Sequence, residues 1–263
     1  MLALTLVLVS ISAAPVAADP PTATSWYEGR AGRKRLLHIG ITFGFGLAYG
    51  ATTTVLSPTL SPSECRWCNP PGFDRSVRNA LVWNNTSRAG LISSVEAYIV
   101  APIVGISLLI AADHDAGWAR FLDDVIPVAE TVAVSQLVVE VFKFSFGRQR
   151  PEAHFGDPAR PATSSDNKSF ISGHSALGFS ITASAGLICH WRHYWTEPYV
   201  WGSGIFLSLS TEYLRMGADK HYLSDVVAGG ALGLAAGLLI PRLMRDDIVI
   251  VPINNGAAVV GSF

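Results

Sequence analysis

Residues 226–240 read Val-Val-Ala-Gly-Gly-Ala-Leu-Gly-Leu-Ala-Ala-Gly-Leu-Leu-Ile, with no charged side chain and mostly small or aliphatic residues. Such a run suits a helix in an apolar setting, and the Gly/Ala stretch Ala228–Gly237 lets a neighbouring helix approach closely. Directly before it stands the polar sequence His221-Tyr-Leu-Ser-Asp225. Further apolar runs lie upstream at Leu37–Leu60, Val95–Ala112, Phe121–Phe146, Ser175–Cys189 and Tyr199–Tyr213. A membrane span takes about 17–25 mostly apolar residues. The runs at 175–189 and 199–213 reach that length only if the polar motifs beside them continue the helices. The run at 121–146 includes Asp123, Asp124, Glu130, Glu140 and Lys143, which are expected to face a bundle interior. No strand-rich region or solenoid repeat is present, so the expected fold is all-α, a multi-helix membrane bundle of about six helices.

Composition points the same way. Of 263 residues, 49% are hydrophobic and 15% charged, whereas soluble domains carry about a quarter charged residues. The mean hydropathy is +0.34. Disorder is excluded by the apolar content. A net charge of -1 gives no electrostatic footprint for nucleic acid.

Four segments follow from the pattern. Residues 1–18 read as a signal peptide or N-terminal anchor: an apolar stretch leads to small residues at Val16 and Ala18, without Lys or Arg before it. Residues 19–36 are a basic juxtamembrane segment carrying Arg33-Lys34-Arg35. Residues 37–245 form the helical domain, and 246–263 a tail in which Asn255-Gly256 suits a small hairpin. The long connector Ser61–Arg88 holds Cys65 and Cys68. Without a second pair for zinc, these cysteines are expected to be structural in an exported loop. Cys189, inside an apolar run, reads as a buried thiol.

Three polar clusters interrupt the apolar helices. In the first, Lys143 and Arg150 are two helical turns apart, and Pro151 then ends the helix. In the second, Ser172-Gly173-His174 precedes an apolar run. Ser172 is a candidate N-cap, and a helix N-terminus offers backbone N–H groups to phosphate oxygens. In the third, Arg215 precedes His221 and Asp225, an i, i+4 pair expected on one helical face. A carboxylate bonded to one ring nitrogen leaves the other as a nucleophile. Each cluster alone has a bland account as a capped or charged helix end. Taken together, they make a costly set of charges unless these share one polar site. Three cations match the three non-bridging oxygens of a transferring phosphoryl group. No His/Cys/Asp/Glu grouping has metal-ligand spacing, so no metal or other cofactor is expected.

Lys143-x6-Arg150-Pro151, Ser172-Gly173-His174 and Arg215-x5-His221-x3-Asp225 resemble the three-part signature of the type 2 phosphatidic acid phosphatase superfamily. That superfamily includes membrane lipid phosphate phosphatases, soluble class A acid phosphatases and vanadium haloperoxidases. Ile171 and Leu214 stand where the family usually has Pro and Ser. The resemblance implies that His221 attacks phosphorus and forms a phosphohistidine, oriented by Asp225. It implies that His174 protonates the leaving group, while Lys143, Arg150, Arg215, Ser172 and Gly173 hold the phosphoryl oxygens. Glu140, one turn before Lys143, is expected simply to pair with it.

The expected protein is a multi-pass cell-membrane phosphatase acting on a lipid phosphate, with its site facing the extracytoplasmic (periplasmic) side. Alternatives are a secreted soluble acid phosphatase, a vanadate-dependent haloperoxidase and a non-enzymatic membrane protein. The connector Glu152–Lys168 is placed to touch a headgroup, although a solvated loop is the plainer account. Oligomeric state and the identity of the lipid are not legible in the residues.

Overall fold

The computed structural model describes residues 31–112, 114, 118–245, 249–253 and 256–260. The signal segment expected at Met1–Ala18 and the turn residue Asn255 lie outside these. The elements are α1 (Ala31–Thr54), α2 (Ser57–Leu60), α3 (Gly72–Leu81), α4 (Thr86–Val95), α5 (Ala101–Ala112), α6 (Trp118–Phe146), α7 (Pro151–His154), α8 (Gly173–Arg192), α9 (Glu197–Gly217) and α10 (Leu223–Arg245). A π-helical turn, Glu96–Val100, joins α4 to α5 without a break. The tail forms the expected hairpin, with Val249–Ile253 antiparallel to Gly256–Val260. The described residues thus form an all-α bundle with one small appended hairpin.

Five of the six apolar runs each fall in one continuous helical stretch, whereas Leu37–Leu60 is divided between α1 and the short α2. Thr86–Ala112, Arg120–Phe146 and Leu223–Arg245 are long and apolar enough to cross a membrane. The two short runs do gain length from their polar flanks. Gly173 and His174 open α8, and Arg215 closes α9. The modest hydropathy of α8 has a packing reason. It runs between α6, α9 and α10, and its Ser180, Thr182 and Ser184 return hydrogen bonds to the carbonyls of Leu177, Gly178 and Ser180. A helix enclosed by helices need not be uniformly apolar.

Glycines set the closest contact. A Cβ on Gly229 would stand 2.3 Å from the Ser172 carbonyl oxygen, and one on Gly233 2.3 Å from that of Ala176. Here α10 lies directly on the α8 backbone, as small-residue helix faces allow. This contact also fixes the height of Ser172 against α10, where the Ser172 N–H donates to the Asp225 carbonyl at 3.0 Å.

The acidic residues of α6 are buried and paired. Asp123 accepts from Arg35, Asp124 from Arg192 and Tyr194, and Glu130 lies 2.9 Å from His38 Nδ1. Pairing with hydrogen-bonded partners is what keeps buried carboxylates tolerable.

Helices α6, α8, α9 and α10 alternate in direction, so the end of α6, the start of α8, the end of α9 and the start of α10 meet at one end of the bundle. The connector after α2 folds over that end. Cys65 and Cys68 form a disulfide. The Arg66 N–H donates to the Gly147 carbonyl, and the Gln149 N–H to that of Trp67. Gly147, at φ +55°, supplies the left-handed residue that turns the chain out of α6.

Candidate active site

Lys143 sits in the last turn of α6, its Nζ 2.6 Å from Glu140 Oε1, the pairing expected from their spacing. Arg150 is the N-cap of α7, with Pro151 in the first turn. That position suits proline, whose missing N–H has no intrahelical partner there anyway. The Arg150 N–H is fixed by the Asp166 carbonyl at 2.7 Å.

Ser172 is the N-cap of α8, its Oγ accepting from the Ser175 N–H at 3.4 Å and from Ser175 Oγ at 3.0 Å. With its oxygen accepting, its own hydroxyl proton remains to donate. A Cβ on Gly173 would stand 3.4 Å from Lys143 Nζ, so the absent side chain is what lets the lysine reach the helix start. His174 is half-buried, with Nε2 3.4 Å from Ser94 Oγ and its ring edge-on to Tyr98 at 4.8 Å.

Arg215 is buried at the end of α9 and donates to Ser93 Oγ at 3.3 Å. Arg150 Nε and Arg215 Nε are both buried without a hydrogen-bond partner among the described residues. Burial pulls the Arg150 guanidinium below its ordinary value, opposed by Glu152, Asp225, Glu140 and Asp166.

His221 is buried, with Nδ1 2.8 Å from the Ser169 carbonyl oxygen. A carbonyl only accepts, so the proton is on Nδ1 and the Nε2 lone pair is uncommitted. Burial holds its pKa well below the usual histidine value, helped by the cations of Arg150, Arg215 and Lys143 and opposed by the Ser169 hydrogen bond. His221 is therefore neutral at neutral pH. Burial likewise pushes the His174 pKa below the usual histidine value, helped by Arg215, His221, Lys143 and Arg150. The structure thus brings Lys143, Arg150, Ser172, Gly173, His174, Arg215, His221 and Asp225 to one place.

One relation differs from the expectation. His221 and Asp225 do not share a helical face, because α10 begins at Leu223 and His221 lies in the turn before it. Asp225 instead reaches back to the Tyr222 N–H at 2.8 Å, half of a capping box. Its Oδ2 lies 3.7 Å from His221 Nδ1, beyond hydrogen-bond reach.

Sequence reasoning missed four residues here. Arg148, only 1% exposed, donates to Asp225, Asp74 and Ser224. Trp67, carried by the disulfide loop, lies over its guanidinium at 3.9 Å. The Ser169 hydroxyl donates to Asp225 Oδ2 at 2.5 Å. Arg148 sits inside the first cluster and could have been suspected; nothing in the polar connector marks Asp74 or Trp67.

A cleft of about 390 Å³ adjoins Arg215, lined by Thr86, Ser87, Leu91, Ser94, Glu152 and Lys220 among others. Glu152 and Lys220 pair across it at 2.5 Å. Elsewhere in the connector, Arg160 pairs with Asp166, and Lys168 Nζ donates to Ser57 Oγ at 2.8 Å. Among the described residues, no three His, Cys, Asp or Glu side chains group as metal ligands.

The model of the PAP2 superfamily matches residues 124–248, a region holding most of α6, all of α7 to α10 and every residue of the three clusters. Among solved structures, the chain is similar to a transmembrane PAP2 type phosphatidylglycerolphosphate phosphatase from Bacillus subtilis. That likeness has 15% identity and a TM-score of 0.49, covering 78% of this chain and 94% of that one. It is also similar to Aquifex aeolicus LpxE, at 19% identity and a TM-score of 0.46, covering 64% and 92% of the two chains. Comparison with curated proteins finds no match.

Proposed function

With residues 124–248 matched by the model of the PAP2 superfamily, we propose that this chain is a phosphatase of that superfamily, hydrolysing a phosphate ester or pyrophosphate of a membrane lipid through a phosphohistidine on His221. The observation that carries the reading is the fixed tautomer of His221. Its Nδ1 proton is committed to the Ser169 carbonyl, so Nε2 presents a lone pair among three cations.

Nε2 attacks phosphorus, the bond to the leaving oxygen breaks, and the leaving alkoxide takes a proton from His174, which the negative charge of the phosphate bound among the three cations brings to its imidazolium form. Lys143, Arg150 and Arg215 carry the charge of the equatorial oxygens. The Ser172 hydroxyl and the N–H groups at the start of α8 add neutral donors. Water then attacks the phosphohistidine, giving its proton to His174 and releasing inorganic phosphate and neutral His221. Both histidines return to their starting states, so the cycle closes without another reactant.

A lipid substrate is supported by the surroundings of the site. Three helices are long and apolar enough to cross a membrane, and Leu91, 66% exposed on α4, forms one wall of the polar cleft beside Arg215. A headgroup in the cleft would therefore have an apolar helix face next to it. An extracytoplasmic site is supported by the Cys65–Cys68 disulfide, which lies at the catalytic end of the bundle; such bonds persist in oxidising compartments.

The test is phosphate release by the purified chain in detergent against a panel of lipid phosphates and small phosphomonoesters. Lipid phosphates are expected to be hydrolysed, and His221→Ala to abolish turnover and radiolabelled phosphate trapping while leaving the thermal transition in place. Normal turnover by that variant, or activity confined to small soluble esters, overturns the proposal.

A further inference from the structure

The cleft beside Arg215 starts next to the proton donor of the reaction. Ser94, whose Oγ lies 3.4 Å from His174 Nε2, belongs to its lining. So does Arg215, buried with Nε unpartnered among the described residues. In an in-line displacement the leaving oxygen departs opposite the attacking nitrogen, on the side where its general acid stands. The cleft therefore opens on the leaving-group side of the phosphorus. Its volume of about 390 Å³ is within the range of small-molecule sites.

Two kinds of polar group line it. The first turn of α4 contributes the hydroxyl residues Thr86 and Ser87. The start of α7 and the turn before α10 contribute Glu152 and Lys220, paired at 2.5 Å. Both are held from the backbone: the Glu152 N–H donates to the Asp219 carbonyl at 2.9 Å, and the Lys220 N–H to that of Arg215 at 3.2 Å. Arg78 grips both carboxylate oxygens of Asp219, at 2.7 and 2.6 Å. A partly exposed ion pair contributes little to folding, so stability alone does not account for placing one here.

Charge decides what this cleft accepts. Arg215 faces the reacting phosphoryl group, and Lys220 is matched by Glu152. No uncommitted cation is left in the lining for a second phosphate, which would also meet the Glu152 carboxylate. An uncharged group carrying hydroxyls fits instead. It can accept from Lys220, donate to Glu152 and do either with Thr86 and Ser87, while the ion pair stays closed. Leu91, in the same lining, leaves acyl chains an apolar path along α4.

We propose that this cleft is the subsite for an uncharged, hydroxyl-bearing leaving group, a polyol unit between phosphate and acyl chains, and that Glu152 and Lys220 select it over a second phosphate. This rests on the reading of the chain as a lipid phosphate phosphatase with His174 as general acid.

The test uses the full chain in detergent and three lipids with the same acyl chains. One carries a terminal phosphate on a glycerol unit with a free hydroxyl, the second lacks that hydroxyl, and the third carries a pyrophosphate. The wild type is expected to favour the first over the second by roughly ten- to a hundredfold in kcat/KM, the effect of one hydrogen bond to a charged group. It should favour the first over the pyrophosphate as well. Glu152→Gln removes the anion and frees Lys220, so kcat/KM for the pyrophosphate should rise about tenfold relative to the glycerol ester. Glu152→Ala with Lys220→Met deletes the pair and should remove most of the hydroxyl preference. A wild type that hydrolyses the deoxy lipid or the pyrophosphate as well as the glycerol ester overturns the proposal, and this comparison needs no variant to fold. Unchanged ratios in the folded variants overturn it too, as does a loss common to all three lipids, which is what a purely structural pair would give. Each of these results leaves the phosphatase reading intact. Absence of wild-type turnover on every lipid phosphate strikes that reading, and this inference with it.

Discussion

At the residue scale, the chemistry turns on which nitrogen of His221 holds a proton, and the Ser169 carbonyl decides it. The spacing of His221 and Asp225 suggested a direct pair. The helix start at Leu223 breaks that inference, because the i, i+4 rule applies only within a helix. Burial of neutral His221 also has a stability consequence. Its pKa is lowered in the folded protein, so below the unfolded value of about 6.5 the unfolded chain takes up a proton that the folded one refuses. Stability linked to this residue is present above that pH and lost as the pH falls through and below it, at up to about 1.4 kcal/mol per pH unit. His221→Asn retains an N–H for the Ser169 carbonyl without titrating. Its melting temperature is expected to fall less steeply than that of the wild type between about pH 7 and pH 5, the range spanning the free histidine pKa. Parallel curves would mean that His221 is protonated in the fold.

At the element scale, the long helices were legible because each apolar run is bounded by a polar cluster, and those clusters belong to helix ends. The Gly/Ala stretch 228–237 foretold close packing, though not its partner. The structure supplies that partner: Gly229 and Gly233 lie against carbonyls of the first turns of α8. Gly233→Val is expected to destabilise the fold by roughly 1–3 kcal/mol, the usual range for overpacking, read as a lower melting temperature in detergent. Gly202, whose Cβ would meet nothing within 4 Å, is the control; Gly202→Ala should leave the transition unchanged or slightly raise it. Equal effects at the two glycines would show that α10 does not rest on α8 as described. The clamp by the disulfide loop was not legible, since it pairs residues 66 and 67 with 147 and 149 across a long stretch of chain. No local pattern encodes such a contact.

At the scale of the whole molecule, four alternating helices deliver their polar ends to one pole, and a covalently closed loop lies over the same pole. The acidic residues of α6 near the opposite pole are neutralised by arginines and a histidine from α1 and from the end of α8. The two poles therefore differ in kind: one has its charges paired internally, while the other, beside pairs such as Lys143 with Glu140, gathers Lys143, Arg150 and Arg215 around a neutral histidine. Like charges held together oppose folding, and an oxyanion among them removes the opposition. Occupancy and folding are then thermodynamically linked, and a ligand at a hundred times its dissociation constant should add about 2.7 kcal/mol of stability. Inorganic phosphate or vanadate is expected to raise the melting temperature in a saturable way that chloride at equal ionic strength does not, and Arg215→Gln to weaken the response. A shift that follows ionic strength alone would contradict this. The protein would thus be most robust when loaded with its own product, and its resting stability in a membrane would report the phosphate concentration on the side to which the site opens.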